Sequence, residues 1–291
     1  MVKKSKKKFG ISVVIPTLGA VNLKPTLEAL IHNTLPPDEI IICVPSDFYH
    51  RCLKYQELAT ILKTNLKGQV AQRIEGFQAA SHAVVVQCDD DLLPQKKCLE
   101  KMAACLLHER CAVGPRFRRP DGRIASGLLP IPGKRSFFEK IIDNLLFFVA
   151  NGPKGFQPGC VSKLGIGFGV GETNKKNVQM EWLPGGMVMH HNKELISRDF
   201  YPYQGKAYSE DIFHSFELRN KNIQLFLATE AVCLIPDDTI SIYKQIGYYT
   251  NYFFRYLQFC KRLQVSEIRF FLYWLLNLTR LAIQWIKENI L

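Results

Sequence analysis

Asp89, Asp90 and Asp91 form an unbroken carboxylate run directly behind the apolar stretch Val84 to Val86. In an extended segment residues i and i+2 point the same way, so Asp89 and Asp91 can face one point while Asp90 faces another. Like charges held close repel, and a divalent cation removes that penalty. Hard carboxylate oxygens suit Mg2+ or Mn2+, ions that usually bridge a protein carboxylate to a substrate phosphate. A solvated acidic turn would carry the same three residues. A second acidic pair, Glu210-Asp211, stands after Ser209 and before Ile212 to Arg219. At a helix start such a pair offers a general base, kept ionised by the helix dipole at some cost in basicity. Acids are also favoured in first helical turns for structural reasons alone.

These groups act together only if the chain between them builds a scaffold. Ile11 to Ile15, ending at Pro16-Thr17, reads as a buried first strand. Asn22 to His32 places Leu23, Leu27, Leu30 and Ile31 at helical spacing, and Pro36-Pro37 stops it. Glu39 to Val44 predicts a second buried strand, Phe48 to Leu62 a helix, and Lys67-Gly68 a turn. Gln69 to Ser81 predicts a helix with Val70, Ile74 and Phe77 on one face, and the stretch from Leu99 to His108 predicts another. Regular alternation of strand and helix points to an α/β fold with a mostly parallel sheet covered by helices on both faces. Ligands of such sheets gather at the carboxyl ends of the strands, which is where the aspartate run stands.

Beyond His108 the alternation breaks. Residues 112–180 hold a basic loop (Arg116, Arg118, Arg119, Arg123), a helix over Ser136 to Val149, and the glycine series Gly165, Gly167, Gly169 and Gly171. That series lacks the Gly-x-Gly-x-x-Gly spacing and opens no helix, so it predicts a flexible loop or a bulged strand. Trp182 to Gly186 leads into a strand from Met187 to His190, with Gly185-Gly186 leaving the backbone unhindered beside it. Ser209 is the expected N-cap of the next helix, and two short strands follow, Ile223 to Leu227 and Ala231 to Ile235.

Composition narrows the partners without choosing one. The 291 residues carry a net charge of +12, and five of the lysines lie within the first eight residues, a tail expected to be disordered. A basic body suits nucleic acid, anionic lipid or a phosphorylated substrate. Nine cysteines without any Cys-x-x-Cys pair argue against structural zinc and a disulfide scaffold. With no apolar stretch behind the lysines to act as a signal peptide, the expected location is the cytoplasm.

The last segment, Val265 to Leu291, is rich in Phe, Leu, Ile and Trp, yet Arg269, Tyr273, Asn277, Arg280, Gln284 and Lys287 recur every three or four residues. They form one polar stripe on an otherwise apolar helix. Two arginines at bilayer depth cost about +2.5 to +3.5 kcal/mol each, which disfavours spanning. The expectations are a helix lying on the cytoplasmic face of an anionic membrane, with Trp274 and Trp285 at the interface, or one packed on the domain or on a second copy. Tyr248, Tyr249, Tyr252, Phe253, Phe254 and Tyr256, with Lys244, Arg255, Lys261 and Arg262, extend this aromatic-basic character upstream. The expected organisation is a tail (1–8), a domain (9–235) and a helical segment (236–291).

Five motifs together resemble the inverting family 2 glycosyltransferases of GT-A fold, over residues 10–235. They are Ile11 to Thr17, Gly68 with Gln72-Arg73-x-x-Gly76, Asp89-Asp90-Asp91, Trp182 to Met187, and Glu210-Asp211. The resemblance implies transfer of a sugar from a nucleotide-diphosphate donor to an acceptor hydroxyl, with Mn2+ or Mg2+ as cofactor. It implies Asp91 as the metal ligand with Asp89 nearer the ribose, Asp90 in the same nucleotide-sugar site, and Pro16 and Thr17 beside the base. Gly68 and Arg73 would border base or diphosphate. Asp211, with Glu210 beside it, would be the base, and Trp182, Gly185, Gly186 and Met187 would face the acceptor. An acid that reads the base is expected at the end of the second strand; here one arrives only at Asp47, after Pro45. The aromatic-basic C-terminal segment suggests a glycan or lipid-linked acceptor.

A sugar nucleotidyltransferase would also need a metal-binding acid, but it commonly carries a glycine-rich loop with a lysine after the first strand, and Pro16 to Ala20 is too short. A non-catalytic RNA-binding protein would use the basic tail and Arg116 to Arg123. No RNA-binding module is visible, so no nucleic-acid partner is expected.

Overall fold

The computed structural model describes residues 9–19, 23–106, 110–130, 136–201, 207, 209–235, 253–254, 256–257 and 265–289. Contacts divide the chain into two units, one from 1–126 with 173–237 and one from 127–172 with 238–291. The basic tail, and Lys244, Tyr248, Tyr249, Tyr252, Arg255, Lys261 and Arg262 of the upstream aromatic-basic stretch, lie outside the described residues.

The first unit is built on one mixed sheet. Its strands are β1 (Ile11–Pro16), β2 (Glu39–Pro45), β3 (Thr60–Thr64), β4 (Val84–Cys88), β5 (Leu93–Pro94), β6 (Cys111–Arg118), β7 (Asn177–Met180), β8 (Met187–His191) and β9 (Gln224–Leu234). They are ordered 3-2-1-4-8-6-9-5, with β7 also on β9. β1 pairs in parallel with β2 and β4, and β2 with β3. The helices between them are α1 (Leu23–Ile31) and α2 (Gln69–Ala79). Apolar runs such as Ile11–Ile15 and Val84–Val86 are fully buried, as a strand covered on both faces requires. The expectation of a mostly parallel sheet holds for this half. In the other half β8 runs antiparallel to both β4 and β6, so parallel and antiparallel pairs share the sheet.

The chain order reverses at β1. From β1 it moves outward through β2 and β3, then returns to lay β4 on β1's other side. The carboxyl ends of β1 and β4 flank this switch point, the place where open α/β sheets leave a crevice. Helix α2 packs tightly against the strands beneath it. A Cβ on Gly76 would meet Cys43 Sγ and Val14 Cγ1 at 2.4 Å each.

Several expectations fail for physical reasons. Phe48 to Leu62 forms two 3-10 turns (Ser46–Arg51 and Leu53–Tyr55) and then β3, not one helix. Leu53 and Leu58, which the helix would have buried, are exposed. The stretch with Arg116 and Arg118 is no loop but strand β6. Gly114-Pro115 is accommodated because the register with β9 shifts between Pro115 and Arg116, and Arg116 is buried. The two expected strands after Ile223 are the single strand β9. Ser209 does not cap the following helix, α5 (Glu210–Asn220): its φ is 56° and its side chain makes no cap hydrogen bond.

In the second unit, α4 (Phe137–Asn151) starts with a capping box, Ser136 Oγ accepting from the Glu139 amide and Glu139 from the Ser136 amide. (The remaining helix of the first unit, α3, spans Cys98–Cys105.) The glycine series is not an open loop. Phe168 is fully buried there with its ring against Phe147 and Phe156, and bridges join Val161 to Gly167 and Leu128 to Phe168. The C-terminal helix, α6, spans Glu267–Asn289. Three members of its polar stripe, Arg269, Tyr273 and Arg280, are engaged by the protein. Arg280 is buried, its Nε 3.0 Å from the Asp143 carboxylate on α4, and it donates to the Leu129 carbonyl. Arg269 donates to the Phe148 and Val149 carbonyls, and Tyr273 is buried.

Candidate functional site

β4 is a buried strand whose carboxyl end carries Asp89, Asp90 and Asp91, each partly exposed. Its fourth residue, Gln87, is polar in a fully buried strand and must find a partner. It donates to the Gly185 carbonyl at 2.5 Å, and the Asp89 amide donates to the Gly186 carbonyl at 2.8 Å. These two bonds fasten the Gly185-Gly186 turn to the end of β4. The Leu183 amide donates to Ser215 Oγ on α5 at 2.9 Å, which holds that helix against the same turn.

Gly185 is required by space, and Gly186 is closely approached. A Cβ on Gly185 would lie 2.3 Å from Glu210 Oε1 and 3.2 Å from Asp211 Cβ. A Cβ on Gly186 would lie 3.4 Å from Asp89 Oδ2. The turn therefore touches both acidic clusters. Since adjacent α-carbons are about 3.8 Å apart, Asp89 Oδ2 and Asp211 Cβ are separated by less than roughly 14 Å.

Arg73 joins the clusters directly. It is buried on α2, donating from Nη2 to Asp89 Oδ1 and from Nη1 to Glu210 Oε1, both at 2.6 Å. Burial works against its charge, but the Glu210 and Asp89 carboxylates override this and raise its pKa. Gln69 adds a second donor to Asp89 Oδ1 at 2.8 Å. Burial nevertheless raises the Asp89 pKa above the ordinary range, with Arg73 opposing.

Asp90 faces the other way. It accepts a hydrogen bond from Thr17 Oγ1, and its carbonyl accepts from Thr26 at 3.0 Å. Burial raises its pKa, partly offset by the Thr17 hydroxyl. Gln72 donates to the carbonyls of Thr17 (2.9 Å) and Cys43 (2.8 Å), drawing together the carboxyl ends of β1 and β2.

Asp211 is half-buried, and its Oδ1 accepts from the Ile212 amide at 3.0 Å. The sequence reading expects the helix dipole to keep this group ionised. Burial and the neighbouring Glu210 charge outweigh the backbone donors and push its carboxyl up to about 7.

The arrangement has two carboxylate clusters joined by one guanidinium at the switch point of a doubly covered sheet. A model of one family, described as "Glycosyl transferase family 2", matches residues 12–157. The chain belongs to that family and is a glycosyltransferase. It is similar in fold to a structure of GalNAc-T7 with UDP, GalNAc and Mn2+, at 14% identity and a TM-score of 0.55, over 79% of this chain and 43% of that one. It is also similar to the mannosyltransferase PcManGT from Pyrobaculum calidifontis in complex with GDP-Man and Mn2+, again at 14% identity and TM-score 0.55, over 94% of this chain and 72% of that one. No curated protein matches the chain. The fold is GT-A, as these neighbours share it.

Within this glycosyltransferase the expected site residues separate into groups. Thr17, Asp89, Asp90, Arg73, Gly185, Gly186, Glu210 and Asp211 form one continuous network at the carboxyl ends of β1 and β4. Pro16 is the last residue of β1, paired with Cys43, and Asp91 follows Asp90 directly. Gly68, with φ 154°, precedes α2 and has open space around it. Asp47 is exposed in the 3-10 turn after β2. Arg73 has both ends of its guanidinium engaged by carboxylates. The side chains of Trp182 and Met187 are buried, Met187 in the main core.

Gln69 and Gln87 were not singled out from the sequence. For Gln87 a signal existed, an amide within an otherwise apolar strand. Phe48 and its cations were also missed: Arg51 and Lys67 lie 4.8 and 5.0 Å from its ring, beside Asp47. A cavity of about 580 Å3, bordered by Asp38, Glu39, Tyr49, Leu53, Thr60 and His82, opens at the opposite, amino-terminal ends of β2 and β3.

Among the described residues no group of three or more His, Cys, Asp or Glu side chains forms a metal cage. The donor set still fits Mn2+ or Mg2+. Such ions are commonly held by one or two carboxylates plus substrate phosphates rather than by an all-protein cage. Asp89 has its Oδ1 committed to Arg73 and Gln69, while its Oδ2 lies toward Gly186.

Proposed function

We propose that this glycosyltransferase moves a sugar, with inversion, from a nucleotide-diphosphate donor to an acceptor hydroxyl on a glycan or lipid-linked molecule. The observation that carries this reading is the Arg73 bridge, in which one guanidinium holds Asp89 and also Glu210, 137 positions further along the chain than Arg73. The donor diphosphate would lie along Asp89 to Asp91, with Asp91 and Asp89 holding Mn2+ or Mg2+. Bound there, the metal would neutralise charge developing on the leaving diphosphate. The nucleoside end would lie near Thr17, Asp47, Phe48 and Gly68.

Asp211 is the base. A carboxyl near 7 is ionised enough at neutral pH to take a proton and basic enough to want it, the match general-base catalysis requires. The acceptor oxygen attacks the anomeric carbon from the face opposite the diphosphate. Its proton passes to Asp211, the bond to the diphosphate breaks, and the single displacement inverts the centre. Glu210, paired with Arg73, positions this carboxylate and raises its proton affinity by its own charge.

The test is a screen of UDP- and GDP-sugars with Mn2+ or Mg2+, following nucleoside diphosphate release. Release that depends on added metal and disappears in Asp91→Ala supports the reading. Pyrophosphate release would instead mean nucleotidyl transfer.

A further inference from the structure

The second unit turns its helices inside out. On α4 the outward positions are Phe137 (81% exposed), Phe138, Ile141, Leu145 and Phe148, interrupted by Lys140 and Asn144. On α6 they include Ile268 (76% exposed), Phe271, Leu272 and Leu275. The charges lie between the helices: Asp143 and Arg280 are buried together, and Arg269 caps the backbone carbonyls of 148 and 149. A helix packed for water does the reverse. Paired charges within and apolar side chains without is the sorting found where lipid surrounds a helix.

We propose that α4 and α6 hold the enzyme on an anionic lipid bilayer, with these phenylalanines and aliphatic groups in the acyl boundary. No helix among the described residues is long and apolar enough to cross a membrane, so the pair lies along the surface rather than through it. Charge favours anionic headgroups, since, with Arg269, Arg280 and Asp143 set aside as engaged within the protein, the two segments of this unit carry ten Lys and Arg against five Asp and Glu. The sequence stripe does not form this contact. Arg269 and Arg280 of that stripe bind the protein. The binding face includes α4, for which the sequence suggested no such role. The proposal is independent of the acidic site.

The experiment is flotation of the full chain with phosphatidylcholine vesicles and with phosphatidylcholine–phosphatidylglycerol vesicles, comparing wild type with the double variant Phe137→Ser, Phe271→Ser. Both positions are exposed, so folding is retained, and melting by circular dichroism checks this. Wild type is expected to float with the anionic vesicles and much less with the neutral ones. Each serine should weaken binding about tenfold. Wild type left in the aqueous fraction would overturn the proposal. So would a variant that floats as well as wild type, or equal binding to both vesicles. A dimer in sedimentation equilibrium that the two serines split, without vesicle binding, would assign the face to a second copy.

Discussion

At the carboxyl ends of β1 and β4 the carboxylates stand partly exposed and the apolar strands lie behind them. In α4 and α6 the carboxylate lies between the helices and the apolar groups face outward. Both regions join acids to arginine across long sequence distances, Arg73 to Asp89 and Glu210 in one, Arg280 to Asp143 in the other. What differs is the surplus. Around Arg73 two carboxylates, Asp89 and Glu210, share one guanidinium, and a third, Asp211, stands beside Glu210. That excess is what a cation and a proton can act upon. Around Arg280 the pairing leaves nothing comparable over, and it serves to dock one helix on another. An ion pair alone therefore does not mark chemistry; unbalanced charge held in place does.

The largest expected effect separates machinery from scaffold. Asp211→Asn should lower sugar transfer by about 10²–10⁴-fold while leaving donor affinity and melting temperature unchanged. Equal transfer by the variant, measured as nucleoside diphosphate release with acceptor present, would remove Asp211 from the role of base. Next, Arg73→Ala should lose both activity and about 3–5 kcal/mol of stability, because it leaves Asp89 and Glu210 without their shared cation in a buried setting. Urea unfolding measures the second loss.

The helix pair should respond differently. Arg280→Met alone should destabilise by about 3 kcal/mol, yet joined to Asp143→Leu it should recover most of that, since apolar residues often replace a buried ion pair at little cost. If the double variant stays as unstable as the single one, docking needs the charges themselves. The smallest effect is on pH. Protonated Asp211 cannot accept a proton, and its carboxyl lies near 7. Transfer should therefore rise about tenfold per pH unit below 7 and level off above it. Residual activity of Asp211→Asn should lack that limb.

Much of the scaffold was legible because burial on both faces leaves an unmistakable trace. Ile11–Ile15 (interrupted only by Ser12), Ile40–Val44 behind Glu39, and Val84–Val86 are apolar runs, and each is part of a strand. Strand β3 left little trace, being an edge strand with only its last residue buried. Strand β6 was hidden by its arginines, which read as a basic loop; Gly114-Pro115 within it is absorbed by a shift in register. The chemical groups were visible as residue types, and the fold brings the two acidic clusters together. Their connection was not visible. An arginine in a helix looks free to bind an anion, and only the packing of α2 against Asp89 and Glu210 shows where its charge is spent. The orientation of α6 was left open for a similar reason, since periodicity reveals that a polar stripe exists but not which side another helix will cover.

The Arg73 bridge has a consequence for how substitutions combine. A single guanidinium serves carboxylates contributed by two distant stretches of chain, so those stretches cannot vary independently. Neutralising Asp89 and Glu210 together should not equal the sum of neutralising each, because the first change already alters what the second removes. A double-mutant cycle across the bridge would show that coupling, and attempts to re-engineer either end of the site will have to treat the three residues as one unit.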